Sequence, residues 1–395
     1  MSIDIFTESV QLHDAIGGKL EVNSKVDLKD EKDLSLAYTP GIAGVCQEIE
    51  RNPDRVYDLT IKKNSVAIVS DGSAVLGLGN IGAEASIPVM EGKALLFKEY
   101  AGIDAFPICI KSQNTMEIIN LIKNIAPVFG GINLEDIAAP QCFEIEAALQ
   151  DIGIPVFHDD QHGTAIVVLA AIFNAAKLKG CNPQDLKVVI NGAGAAGSAI
   201  ADLLLRMNVD DGPVQSVKEI LICDSQGIIS ETRPDVAEKP AKLQLARRTN
   251  RKFKTGSIED AMKGADVFLG VSVANAVTKE MVKSMAKDPI ILAMANPIPE
   301  IMPDDAKEAG AFIVGTGRSD FQNQVNNVLA FPGIFRGAMD KRAKRITRKM
   351  KIAAAHALAN AVKTPKPEKI IPSVLDKGIA YKVAEEVAKV YDETT

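Results

Sequence analysis

Short apolar runs alternate with segments of helical period along the first half of the chain. SVAIVSDG (65–72) and AFPICIK (105–111) read as strands that end in turn residues. Between them MEGKALLFKEYAG (90–102) has helical spacing and stops at Gly102. TMEIINLIKNIAPVFG (115–130) places apolar residues at i, i+3, i+4 and i+7 and predicts a second helix. GINLEDIA (131–138) closes a further strand and leads into QCFEIEAALQDIG (141–153), a helix expected to end at Gly153. IPVFHDD (154–160) predicts another strand. TAIVVLAAIFNAAKLKG (164–180) predicts a helix that is apolar nearly all round and therefore buried, between the two halves of the molecule.

From about residue 187 the alternation is cleaner. LKVVINGAGAAGSAIADLLLRM, EILICDSQG, ADVFLGVS, PIILAMANP and AFIVGTG carry strands separated by helix-sized segments. That is the pattern of a doubly wound parallel α/β sheet. From NQVNNVLAFPG (323–333) onward the chain reads as mostly helical, and no internal repeat is present. The stretches 208–218 and 230–255 have the least regular pattern.

A length of 395 residues predicts two domains. Hydrophobic content of 47% and charged content of 24% are ordinary for a globular protein. A formal net charge of -6 argues against nucleic acid as the main partner. Cys46, Cys109, Cys142, Cys181 and Cys223 are scattered and form no CxxC pair, which reads as reduced thiols in a cytoplasmic protein. The opening MSIDIFTESVQLHD carries acids where a signal peptide has an apolar core. No uninterrupted apolar run reaches the roughly 18 residues of a membrane span, so no membrane role is expected.

GxGxxG occurs twice, at Gly77–Gly82 and at Gly192-Ala193-Gly194-Ala195-Ala196-Gly197. A dinucleotide site needs a strand, a tight glycine turn and a helix N-terminus aimed at the pyrophosphate. The second copy lies between LKVVIN and SAIADLLLRM and has all three. The first is followed by EASIPVMEGK, where Pro88 is expected to break an entering helix, so it reads as a loop near an active site. Asp224 ends the next strand and can accept from ribose hydroxyls and repel a 2′-phosphate, which favours NAD over NADP. Against this stands the basic run Arg247-Arg248-Thr249-Asn250-Arg251-Lys252, which folded back could hold a 2′-phosphate and otherwise is a solvated helix face.

Glu135-Asp136 and Asp159-Asp160 each end a predicted strand, the edge at which ligands collect in open α/β sheets. Carboxylate oxygens with no nearby cysteine suit Mg²⁺ or Mn²⁺. His158 and His162 have the spacing of zinc ligands, but a strand-to-helix crossover need not put them on one face, and no HExxH glutamate is present. Tyr38 lies in a Pro-Gly turn (YTPG). Lys93 lies on an apolar helix face, where desolvation is expected to lower its pKa toward that of a useful base. ANPIPE (295–300) and NQVNNVLAFPG add asparagines after late strands.

YTPG, DGSAVLGLGNIG, EGKALLF, the ED pair, VFHDDQHGTA, NGAGAAG, ANPIPE and NNVLAFPG occur in the order and approximate spacing of malic enzymes. The chain resembles the short, prokaryotic-type form from about residue 30 onward. The resemblance implies an N-terminal α/β domain for substrate and metal (1–160) and a Rossmann-type NAD-binding domain with C-terminal helices (161–395). It implies oxidative decarboxylation of L-malate to pyruvate and CO₂ with NAD or NADP, and a homodimer. Tyr38 then corresponds to the general acid and Lys93 to the general base. Glu135, Asp136 and Asp160 correspond to the ligands of Mg²⁺ or Mn²⁺, and Gly192 to Gly197 to the dinucleotide loop. Asn296, Asn326 and Asn327 correspond to asparagines that contact substrate and the nicotinamide ribose. The chain departs from the longer eukaryotic forms at Val75, where those carry an arginine for a substrate carboxylate; Arg318, Ser73 or a neighbouring subunit is left to supply that contact. The rival readings are a malolactic enzyme working with bound NAD and a non-catalytic nucleotide-binding protein. The basic run 342–349 reads as a helix face or subunit contact, since no aromatic residues interleave for base stacking.

Overall fold

The computed structural model describes residues 4–75, 77–209 and 212–391. Leu76 of the first glycine motif, Asp210 and Asp211 of the polar stretch, and the outermost residues of both expected domains lie outside that description.

Strands β1 (Ser65–Ser70), β2 (Asp104–Cys109), β3 (Gly131–Leu134) and β4 (Val156–His158) form an all-parallel sheet in the order β2-β1-β3-β4. Every residue of β1, β3 and β4 is buried, as expected of parallel strands covered on both faces. The second sheet contains β5 (Lys187–Asn191), β6 (Glu219–Asp224), β7 (Gly227–Ile228), β8 (Val267–Gly270), β9 (Ile290–Ala293) and β10 (Ile313–Thr316). Its order is β10-β9-β8-β5-β6-β7. The pairs are parallel except at the edge, where β6 turns back antiparallel into β7 through Gly227 at φ 101°. Strand order reverses between β5 and β8, which opens a crevice there.

Between the sheets runs the helix Asp159–Lys179, buried on nearly every face. By length and composition it is long and apolar enough to cross a membrane, yet 72% of its most apolar window is buried inside the protein. It packs on the helices Ala195–Leu204 and Arg348–Ala361. It begins at Asp159, before the Thr164 expected from the pattern, so Asp159 and Asp160 open a helix instead of ending a strand. Carboxylates in a first turn are favoured by the helix dipole. Gly163 is not a turn residue. A Cβ there would stand 1.9 Å from Oδ1 of Asp159 and 2.9 Å from Cβ of Asn327, so glycine clears space inside the helix.

The helix Gly82–Ala101 also starts earlier than expected and continues through Pro88. The proline costs one backbone bond, which is offset by a buried face of Ala83, Ser86, Met90, Lys93, Ala94, Phe97 and Ala101. In the other direction, the helix Gln141–Ala148 stops short of Gly153. The C-terminal helices pack on both halves. Phe97 meets Phe331 at 4.7 Å and Phe335 at 5.3 Å between ring centroids, and Phe335 meets Phe157 at 5.9 Å. Gly333 and Gly337 let the helix Gly378–Lys389 approach closely: a Cβ on either would lie 2.5 Å from a carbonyl oxygen of that helix. By contrast, none of residues 4–61 is buried.

Candidate active site

Both sheets direct their strand ends toward one cleft of about 900 Å³. Its walls include Ser73, Gly77 and Gly79 from the loop after β1, Asp136 after β3, and His158 and Asp160 at the start of the central helix. Opposite them stand Ala195 and Ala196 of the glycine-turn helix, Ser272 after β8, Asn296 after β9, and Asn326 and Asn327. The first glycine motif thus lines the same cleft as the second, and Gly82 opens a helix after all.

Glu135, Asp136 and Asp160 each bring a carboxylate oxygen to within 4.8 Å of the others, a set that could hold a divalent cation. Oδ2 of Asp136 is buried without a partner, as a free ligand position would be. Asp136 is held at φ 53°, in the left-handed region, while its N–H donates to Oδ2 of Asp160 at 2.8 Å. Lys93 is buried beside this cluster. Its Nζ lies 2.8 Å from Oε1 of Glu135 and 2.5 Å from Oδ2 of Asp159, a buried carboxylate that sequence reasoning gave no role. The lysine helix contributes one partner and the central helix the other, 66 residues apart in the chain.

The electrostatics differ from the expectation for Lys93. Burial alone would lower its pKa, but Asp159 and Glu135 outweigh burial and raise it above the ordinary lysine value. The acids move up as well. Burial, reinforced by the neighbouring carboxylates Asp160 and Glu135, pushes Asp136 up to about 9. Burial pushes Glu135 up to about 7 against the pull of Lys93, and Asp160 up to about 6.

The two histidines separate. His158 Nδ1 and Nε2 are buried without hydrogen-bond partners, and burial pulls its pKa down to about 4. His162 Nε2 lies 2.9 Å from Oε2 of Glu146. Burial would raise Glu146, but the His162 ring and Lys351 outweigh it and hold it at about 2. His162 is therefore committed to Glu146 and does not pair with His158 on a metal.

On the other wall, Gly192 at φ 125° makes the tight turn and Gly197 the close approach. A Cβ on Gly197 would stand 1.9 Å from the Gly192 carbonyl oxygen. The helix Ala195–Leu204 then begins with its N-terminus at the cleft, the geometry that receives a pyrophosphate. Asp224 ends β6 as predicted but is not free for a ribose. Arg233 donates to both its oxygens, at 2.9 and 3.0 Å, and Lys242 donates at 2.6 Å. Burial would raise Asp224, but these cations hold it at about 2. Its charge is neutralised where it was expected to repel a 2′-phosphate, so the argument for NAD over NADP loses its footing. Arg247, Arg248 and Lys252 of the basic run are ion-paired to Glu231, Asp202 and Glu219.

Two expectations find no place in the cluster. The Tyr38 side chain is exposed (68%) and outside the cleft lining. Arg318 is spent on Asp320, at 2.9 and 2.7 Å, and on the Pro297 carbonyl. Val75 is buried and bridges to Gly79, with no charge to offer a carboxylate. Ser73, beside it, faces the cleft, although its hydroxyl already donates to Asp71 at 2.6 Å.

Acids backed by a buried lysine, facing a glycine-turn helix across one cleft, are the parts of a nicotinamide-dependent dehydrogenase. The sequence matches the profile of the malic enzyme NAD binding domain over residues 161–391 and that of the malic enzyme N-terminal domain over residues 17–120. The chain belongs to the malic enzyme family. It is 56% identical over 390 residues to the bifunctional malic/malolactic enzyme of Bacillus subtilis (strain 168), covering 98% of this chain and 93% of that one. It is 45% identical to the NADP-dependent malic enzyme of Escherichia coli (strain K12), covering 95% of this chain but spanning only 50% of that protein. The crystal structure of the NAD-dependent malic enzyme from Thermotoga maritima superposes with a TM-score of 0.92 at 47% identity, covering 98% of this chain and 99% of that one.

Proposed function

We propose that this chain oxidatively decarboxylates L-malate to pyruvate and CO₂ with NAD or NADP, assisted by Mg²⁺ or Mn²⁺ on Glu135, Asp136 and Asp160. The carrying observation is that Asp136 and Asp160, two acids of the cluster around buried Lys93, line one cleft with the start of the glycine-turn helix. When bound, the nicotinamide supplies the hydride acceptor and the cation a Lewis acid at the substrate oxygens. Lys93 takes the proton of the C2 hydroxyl. Glu135 and Asp159 keep Lys93 protonated, and Glu135 would hold Lys93 less strongly as an acid if it also served as a ligand to a cation. Asp159 positions the Nζ from the opposite side. Tyr38 delivers a proton to C3 of the enol. Asn296, Asn326 and Asn327 supply uncharged donors and acceptors to substrate and nicotinamide ribose.

The test is a steady-state assay of malate with NAD and with NADP, each with Mn²⁺ or chelator, following reduced nucleotide, pyruvate and lactate. Pyruvate equimolar with reduced nucleotide is expected. Lactate without net reduced nucleotide would establish the malolactic reading instead, which the name of the Bacillus subtilis relative favours as the second possibility.

A homodimer is supported by the segment 4–61. It buries nothing of its own and exposes Ile5, Phe6, Val10, Leu12, Ile16 and Val22. The same segment carries Tyr38, so its role requires closure of this segment or pairing with a second copy. Analytical ultracentrifugation showing a monomer at micromolar concentration would remove that reading. All five cysteines are free, which supports the cytoplasmic assignment.

A further inference from the structure

Beneath the dinucleotide wall of the cleft lies a buried carboxylate that the proposed chemistry does not use. Glu300 is 0% exposed. Its Oε1 accepts from the Ser272 N–H at 2.9 Å and its Oε2 from the Ala295 N–H at 3.0 Å. Ser272 follows β8 and Ala295 follows β9, and both line the cleft. Oγ of Ser272 in turn accepts from Nδ2 of Asn191, the last residue of β5, at 2.6 Å. Three neighbouring strand ends are thus tied to one acid. Gly270 is the space it occupies, since a Cβ there would stand 2.3 Å from Cδ of Glu300.

Two N–H donors, one to each oxygen, suit an ionised carboxylate, which only accepts. Burial pushes its pKa up, backbone N–H groups and the Ser272 side chain pull it down, and no lysine, arginine or histidine forms an ion pair with it among the described residues. A buried charge without a counterion is costly, and a tether alone would not need one. In a doubly wound sheet the pyrophosphate sits at the glycine turn after β5 and the adenosine lies over β6. The nicotinamide half would then be received over β8 and β9, where Ser272 and Ala295 line the cleft.

We propose that Glu300 is a positioning residue that also acts through its charge: it sets the floor under the nicotinamide and favours the cationic oxidised ring over the neutral reduced one. The inference rests on the dinucleotide reading given above. If the ring is received one side-chain layer away, on the order of 8 Å, a unit charge at an effective dielectric of about 20 would favour the oxidised form about 5- to 30-fold once screening is allowed for. Such a bias holds the oxidised cofactor for reaction and speeds release of the reduced one.

Calorimetric titration of the full-length protein with NAD⁺, NADH and ADP-ribose tests this. In Glu300→Gln, NAD⁺ should weaken about 5- to 30-fold relative to NADH, while the ratio of NADH to ADP-ribose stays as in the wild type. Glu300→Asp, which keeps the charge, should keep the wild-type NAD⁺ to NADH ratio even where all affinities fall. Equal weakening of all three ligands in Glu300→Gln, or an unchanged NAD⁺ to NADH ratio, overturns the proposal. Should Glu300→Gln not fold, Gly270→Ala displaces the same carboxylate and should lower the same ratio; an unchanged ratio there overturns it too. Failure of the wild type to bind any of the three is a different result and removes the dinucleotide reading itself.

Discussion

Titrating the cation-free protein with Mn²⁺ at several pH values tests the carboxylate cluster directly. Three carboxylate oxygens lie within 4.8 Å of one another. At that separation and an effective dielectric of about 20, each ionised pair repels by about 3.5 kcal/mol before Lys93 offsets part of it. The cluster therefore retains protons near neutrality, with Asp136 raised to about 9 and Glu135 to about 7. The sign follows. An acid whose folded-state pKa is raised contributes stability that is complete below its unfolded pKa of about 4 and is lost as pH rises through the folded value. The cation-free protein should accordingly lose melting temperature between about pH 4 and 9. A dication must displace the proton of Asp136, so its apparent affinity should rise about tenfold per pH unit between about pH 7 and 9, and more steeply below, where Glu135 is protonated too. At a concentration 100 times Kd it should add about 2.7 kcal/mol. Asp160→Asn separates the two effects. Its cation-free form should melt no lower than wild type at pH 8, because one repelling charge is gone, while Mn²⁺ affinity falls by about 100-fold. Calorimetry and thermal unfolding after chelation read both quantities. Mn²⁺ affinity that is flat from pH 6 to 8, or Asp160→Asn binding as tightly as wild type, would refute the reasoning.

Asp159→Asn removes the closer of the two charges that hold Lys93 protonated, so the pH profile should move to lower pH, while loss of the contact that positions Nζ should lower kcat about 100-fold or more; an unmoved profile would show that Asp159 does not govern Lys93. Tyr38→Phe should lower kcat by about 100-fold or more with the melting temperature unchanged, since the side chain is 68% exposed; a lowered melting temperature would mark it as structural. Gly197→Ala places a Cβ 1.9 Å from the Gly192 carbonyl oxygen, so NAD⁺ affinity should fall at least about tenfold and stability by about 1–3 kcal/mol in urea titration. Phe335→Ala opens the aromatic cluster shared by Phe97 and Phe157 and should cost about 3–5 kcal/mol by the same measurement; a loss below about 1 kcal/mol would mean the C-terminal helices do not couple the two halves.

Apolar period made both sheets and the central helix legible, because it depends on neighbours in the chain. β1 and the glycine-turn strand β5 fall where continuous apolar runs end in turn residues. The glycine motif was readable for the same reason: strand, turn and helix follow one another within a short stretch. Helix starts were harder. Gly163 and the polar stretch HDDQH look like a turn, and only the position of Asp159 and Asn327 around Gly163 explains why helix prevails. Pro88 misled in the same way, since a packed face over several turns outweighs one missing backbone bond.

The residues misjudged in chemistry share a different cause. Period predicts that Lys93 is buried, and burial by itself lowers a lysine pKa; the partner that reverses the sign, Asp159, stands 66 residues away. Asp224 was placed correctly at the end of β6, but the cations that neutralise it arrive from positions 9 and 18 residues later, through a hairpin and a helix no pattern announces. For Tyr38 the turn was visible and its distance from the cleft was not. Burial of a charge is a local property of the sequence, whereas the identity of its partner is a property of topology. The acid pair in HDD shows how far that goes. Asp159 and Asp160 are adjacent and chemically identical, yet as the first two residues of one helix they point in different directions. Asp159 is turned to Lys93, and Asp160 to the backbone of Asp136 across the parallel pair β3–β4. On the proposed reading one serves the proton and the other the cation because of the helix register alone, so a one-residue shift would put only one aspartate into the other's place and leave Gln161 or His158 in the vacated one.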